Sequence, residues 1–197
     1  MNIVGISGSP TGGSSTDYLI EAILENIEGS HIKKRFIRLN EKSILPCQAC
    51  GKNPEPDFCF FHDDMDEIFT LMDKVDGIIL GSPIYFDSVS AQAKLFIDRT
   101  NCLRPVDFDN PEGPKLKEPL LRGKKAGIVL VGGEDGKFQG ALRTARAFFI
   151  WAGIDIVFEL EYRTKSFEPG EARRDESIES EIKACADKLT NAIKSRK

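Results

Sequence analysis

Residues Gly5 to Thr16 read GISGSPTGGSST, a run of glycines and small hydroxyls between an apolar strand and an amphipathic helix. Such a turn suits an anion. The first N–H groups of a helix have no intrahelical acceptor and carry the positive end of its dipole, and small residues let a phosphate come close. Ser9, Ser14, Ser15 and Thr16 add hydroxyl donors, so these residue types predict phosphate binding. The plainer alternative is that Ser14 or Ser15 only caps the helix. No Lys-Ser or Lys-Thr pair follows, and Gly5-x-x-Gly8 is too wide for the dinucleotide fingerprint, which disfavours triphosphate chemistry.

Two further turns carry suitable residues. Gly81 to Ser88 reads GSPIYFDS, where Tyr85 and Phe86 offer ring faces to a planar ligand and the backbone around Ser82, Pro83 and Ile84 offers polar groups for its edge. Both aromatics are equally compatible with core or dimer contacts. Gly132, Gly133 and Gly136 lie in a VGGEDG turn where backbone can pass close to a ligand face. A separate group, Cys47, Cys50, Cys59 and His62, has residue types compatible with tetrahedral zinc. His31, the other histidine, reads as an exposed residue at the start of the second strand.

These turns need elements to hold them. Apolar strand segments at Ile3 to Ser7, Ile32 to Leu39, Gly77 to Gly81, Ala126 to Val131 and Ile154 to Glu159 alternate with helical patterns at Thr16 to Glu28, Asp64 to Lys74, Ala91 to Asn101, Gln139 to Ala152 and Glu176 to Ser195. The alternation predicts an α/β, doubly wound, three-layer sandwich around a five-stranded parallel sheet of order 2-1-3-4-5. The second strand, with Lys33, Lys34, Arg35 and Arg38, belongs at an edge, where charge blocks further pairing. A ligand crevice then falls beyond strands one and three, where all three turns emerge. Asn40 to Asp63, with three cysteines, and the proline-rich stretch Leu103 to Lys125 fit no regular element and read as functional or interface loops.

At 197 residues with 41% hydrophobic composition, the chain predicts one compact unit spanning 1–197. A net charge of -4 gives no footprint for nucleic acid, and no apolar run approaches a membrane span. The N-terminus enters its first strand without a signal pattern, and five cysteines are an odd number for a disulfide framework, so the expected location is cytoplasmic.

GISGSPTGGSST, the stretch DDMDEIFTLMDKVDGIILGSPIYFDSVSAQAKLFIDR and VLVGGEDG together resemble the NAD(P)H-dependent FMN reductases and iron-sulfur flavoproteins of the flavodoxin-like fold, over most of residues 1 to 160. The resemblance implies one flavodoxin-like FMN-binding domain. Ser9 and Ser14 to Thr16 would hold the FMN phosphate, Ser82 to Phe86 would line the isoalloxazine, and Gly132, Gly133 and Gly136 would approach its other side. Thr11 departs from the many relatives that carry arginine there. The implied activity is hydride transfer from NAD(P)H to FMN and electron delivery to a quinone, a nitro or azo compound, another flavin or a protein acceptor. The alternative is an electron carrier exchanging electrons with a ferredoxin-like partner. A homodimer or homotetramer is implied too, with no protein acid or base required.

Cys47-x-x-Cys50 followed by Cys59 resembles the compact cysteine motif of the iron-sulfur flavoproteins, with Asn53 where another cysteine is expected. A four-iron cluster needs four thiolates, and Cys102 is the fourth only if the fold brings it near. Cluster, zinc, and a metal-free or thiol-redox loop are the three readings, the last slightly favoured. Cys185 reads as a small apolar residue of the final helix.

Overall fold

The computed structural model describes residues 1–29, 31–50, 58–107, 112–113, 115–166 and 168–195; Asn53, Pro111 and Pro114 lie outside them. The elements in chain order are β1 (Asn2–Ser7), α1 (Ser15–Asn26), β2 (Lys33–Arg38), α2 (Met65–Lys74), β3 (Gly77–Tyr85), β4 (Ser88–Val89), α3 (Ala91–Arg99), β5 (Lys125–Gly132), α4 (Gln139–Ala152), β6 (Asp155–Arg163) and α5 (Glu179–Lys194). Five strands run parallel in the order β2-β1-β3-β5-β6. This is the expected order with one addition. The two-residue β4 pairs antiparallel with the end of β3 and lies off the main path.

The continuous apolar runs follow from burial on both faces of the sheet. Alternate residues point to opposite sides, so Val4, Ile6, Ile78, Leu80, Ile128 and Leu130 pack in the core with α2, α3 and α4. Ile3, Ile79, Val129 and Val131 pack in the other core with α1 and α5. Charged β2 takes the edge, as its sequence predicts. Ser14 caps α1 by accepting from Asp17 N, Ser90 caps α3 by accepting from Ala93 N, and Gly153 closes α4 in the left-handed region at φ 76°.

One boundary differs usefully. The segment Gly81 to Ser88 reads as a turn in the sequence, yet β3 continues to Tyr85 and returns through β4. The ladder between β1 and β3 ends at Ser7 opposite Gly81, so on that side Pro83 interrupts no pairing by lacking an N–H. The hairpin tip is Phe86-Asp87, both at positive φ, 52° and 57°. A phenylalanine held in that region is unusual and carries strain. No helix among the described residues is long and apolar enough to cross a membrane.

Candidate functional site

The first turn is organised from within by a carboxylate. Asp17, fully buried in the first turn of α1, accepts from Ser7 Oγ at 2.5 Å, Gly13 N at 3.0 Å and Arg38 Nε at 2.9 Å. These bonds hold Gly13 at φ 69°, and a Cβ added there would meet nothing within 4 Å. The loop is thus open outward while its inner side is tied down. The N–H groups of Ser15 and Thr16 open the helix and have no intrahelical acceptor. Arg38 ends the edge strand so that its guanidinium lies 4.0 Å from an ideal Cβ on Gly12. The turn therefore combines free helix-end donors with one cation.

The predicted hydroxyls divide by role. Ser14 is the cap, as the plainer reading holds, which leaves its own O–H free to donate outward. Ser9 Oγ donates to Thr11 O and accepts from Thr11 N, bracing the turn internally. Ser15 Oγ accepts from Ala172 N, tying α1 to the segment after β6, while the Thr16 methyl packs toward Gly81. In that segment Gly170 lies so close to Gly13 that a Cβ would come 2.8 Å from the Gly13 carbonyl oxygen.

The three turns are physically joined. Gly8 N donates to Gly81 O at 2.8 Å, and Ser90 Oγ donates to Gly8 O at 2.6 Å. Buried Ser82 donates its hydroxyl to Pro83 O and accepts from Ser90 N, so it pins the hairpin to α3. Ile84 meets Gly132, with a Cβ on that glycine reaching 3.4 Å from Ile84 Cδ1. Gly136 N closes onto Gly133 O at 2.9 Å, and Arg163 donates to Glu134 O and Gly136 O. Gly133 faces open space. Tyr85 is half exposed and Phe86 fully exposed, so neither ring is a core residue. An anionic end at the first turn and a planar end between the hairpin and the glycine turn fit FMN.

A second constellation lies at the far end of α3. Cys47, Cys50, Cys59 and Cys102 line one cavity of about 230 Å³, together with Arg99 and Arg104. Arg99, 2% exposed, donates from Nη1 to Leu45 O and the Asp63 carboxylate and from Nη2 to Phe61 O and Cys59 Sγ. Burial alone would raise the Asp63 pKa, but Arg99 and the amides of Leu45 and Met65 outweigh it and hold the group below the usual carboxylate range. Burial, with Cys59 adding to it, pushes the Cys102 thiol up to about 12, which leaves it unreactive as a free thiol. His62 turns to Asp66 at 3.2 Å, and among the described residues no three His, Cys, Asp or Glu side chains converge on a point that one ion could occupy. The four-ligand zinc set is thus not assembled in this geometry.

Asp17, Arg38, Arg99 and Arg163 do not stand out in the sequence as site residues. Arg38 alone had a visible signal, a charge at the carboxyl end of a strand beside the crevice. The others act through contacts that only the fold creates.

The family profile of NADPH-dependent FMN reductases matches residues 1–163. An iron-sulfur flavoprotein of Methanocaldococcus jannaschii is 38% identical over 158 residues, covering 80% of this chain and 76% of that one. The solved structure of an NADH:FMN oxidoreductase in its apo form is similar at TM-score 0.66 and 22% identity, covering 97% of this chain and 89% of that one. A flavodoxin from the domain Archaea is similar at TM-score 0.57 and 14% identity, covering 98% and 99%. The fold is flavodoxin-like.

Proposed function

The chain belongs to the NADPH-dependent FMN reductase family, and from that premise we propose that it passes electrons from NAD(P)H, by way of resident FMN, to a quinone, a nitro or azo compound, another flavin or a protein acceptor. When bound, the flavin supplies the hydride-accepting and electron-donating chemistry. The protein binds, orients and shields. The observation that carries the reading is the joining of the first two strand-end turns by the Gly8–Gly81, Ser90–Gly8 and Ser82–Ser90 hydrogen bonds, with the glycine turn meeting the hairpin where Gly132 approaches Ile84.

In this reading the phosphate is held by the amides of Gly12 and of 14–16, by the outward hydroxyl of Ser14 and by Arg38, while Ser15, whose Oγ accepts from Ala172 N, braces the turn from behind. Thr16 and Ser9 shape the turn. Ser82, Pro83 and Ile84 support the ring edge, Tyr85 and Phe86 offer it apolar surface, and Gly132, Gly133 and Gly136 leave room on the opposite side. The whole of 1–197 acts as one FMN-binding domain in the cytoplasm. A homodimer or homotetramer is supported by the full exposure of Phe86 at the mouth of the site, an apolar ring that a second chain would cover.

The test is steady oxidation of NADH or NADPH by FMN-loaded protein with menadione, a nitroaromatic or free flavin as acceptor. If neither nicotinamide is oxidised, the reading fails. Arg38→Gln should weaken FMN binding about tenfold, a loss of about 1.4 kcal/mol, the low end for a charge-assisted bond because the guanidinium is part exposed and shared with Asp17 and Glu41. Riboflavin, which lacks the phosphate, should bind the variant unchanged. An equal loss for both ligands would move Arg38 out of the phosphate site.

The second reading is an electron carrier for a ferredoxin-like protein, favoured by the four cysteines on one cavity. Reduction of the flavin by such a partner, without reduction by NAD(P)H, would select it.

A further inference from the structure

We infer that Arg163 is a positioning residue that makes the site favour reduced over oxidised FMN, by drawing the carbonyls of the glycine turn onto β6 and so aiming the opposite amides into the slot between that turn and the hairpin. The inference rests on the flavin reading above. It adds the residue that sets the electron affinity of the bound ring.

Three carbonyls of one turn are held from the same side. Arg163 is the last residue of β6 and pairs in register with Gly132. Its Nη1 donates to Glu134 O at 3.2 Å and to Gly136 O at 2.7 Å. Thr164 donates to Gly132 O, from its amide at 2.9 Å and from its hydroxyl at 3.3 Å. The carbonyls of 132, 134 and 136 therefore all face the end of β6. In a trans peptide the N–H that follows a carbonyl points the opposite way. The amides of Gly133, Asp135 and Lys137 are thus turned away from β6, toward the β3 side, where Gly132 meets Ile84. None of these three amides has an acceptor among the described residues.

The guanidinium is itself held in place. Its carbon lies 4.5 Å from the centroid of Phe138, a fully buried ring that would also come 3.1 Å from a Cβ on Gly132, so one side chain fixes both the cation and the turn. Glu134 and Asp135 place two carboxylates on the turn, yet Nη1 bonds main-chain oxygens. That choice shapes the backbone. Reduction adds electron density to the ring, and donors fixed in place beforehand favour the form that carries it. Arg163 is exposed, so its own charge is screened by solvent ions, and the aimed amides carry the effect.

The test is Arg163→Met, which keeps an apolar stem over Phe138 and removes both bonds to the turn. Oxidised FMN is titrated by fluorescence, and the midpoint potential of the bound FMN is read by dithionite titration against a redox dye, with no nicotinamide present. The variant should bind oxidised FMN within about twofold of native protein, and should lose about fivefold more affinity for the reduced form than for the oxidised form, a midpoint potential about 20 mV lower for the two-electron couple. In about 1 M salt, where exposed charges more than about 3 Å apart are screened, the shift should persist. An equal loss for both oxidation states would make Arg163 a general brace of the turn, a shift that vanishes in salt would assign it to charge alone, and an unshifted potential would give it no part in the ring's electron affinity. Each of these overturns the inference while the flavin reading stands, whereas native protein that binds FMN in neither oxidation state would overturn both.

Discussion

Asp17→Ala should lower stability by about 2–4 kcal/mol and weaken FMN binding at least about tenfold. The carboxylate is fully buried and accepts three donors. Removing it leaves the buried Ser7 hydroxyl, which still accepts from Ser9 N, without an acceptor for its proton, at about 1–3 kcal/mol, and costs less at the part-buried Gly13 amide, whereas Arg38, a third exposed, turns to water at little cost. The effect on binding pits two forces against each other. Loss of a negative charge beside a phosphate site favours the anion, while loss of the bonds that hold Gly13 at φ 69° lets the loop sample other conformations before FMN arrives. Preorganisation is expected to win, because Arg38 already screens the carboxylate. Chemical denaturation and FMN fluorescence titration decide it; tighter FMN binding by the variant would show that charge dominates.

Arg99→Met should cost about 3 kcal/mol, roughly 6–12 °C in Tm, and should loosen the backbone at Leu45 and from Cys59 to Asp63. Arg99 and Asp63 form a buried pair with 1% and 8% side-chain exposure. Methionine fills the channel but leaves the Asp63 charge buried. Removal of one partner from a buried pair costs about 3–5 kcal/mol, and the low end applies because the amides of Leu45 and Met65 still reach Asp63. The pH dependence has a definite sign. Asp63 has a folded pKa below its unfolded value, so its contribution is present above the unfolded pKa, near 3.9 on ordinary carboxylates, and is lost as pH falls through the folded value. In Arg99→Met the unpaired carboxyl is instead pushed up and escapes its penalty by protonating. The stability gap between native protein and variant should therefore narrow as pH falls below about 5, and a gap that stays constant from pH 7 to pH 3 would show that packing, not the charge pair, is what Arg99 contributes.

Much of this architecture was legible in the residues. The Ile, Leu and Val runs of β3 and β5 announced strands covered on both faces, and the charges of β2 announced an edge. The helix from Gln139 to Ala152 was readable to the residue because Gly153 marks its end. Pro83 hid the continuation of β3, since the place where it is tolerated depends on how far β1 extends. The candidate site was legible as three turns, but not as a network. Ser9 reads in sequence as a phosphate-binding hydroxyl and the backbone at Ser82 as a ring-lining edge, and only the fold shows that their hydroxyls also bond to Thr11, Pro83 and Ser90. Arg38 meets Asp17 and Cys102 joins the cysteine loop across long stretches of chain, and no local periodicity encodes such meetings.

α3 also acts as a ruler. Its first turn is fastened at Ser90 to the carbonyl of Gly8 in the crevice at the ends of β1 and β3, and its last residue, Arg99, forms a wall of the cysteine cavity. Nine helical residues at 1.5 Å each set those ends about 13 Å apart. Because Phe96 and Ala93 are wholly buried between them, the spacer is clamped along its length and cannot stretch with motion of either loop. The separation of the crevice from the cysteine cavity is therefore a property of the scaffold, and a displacement at either end of the helix is delivered to the other rather than absorbed between them.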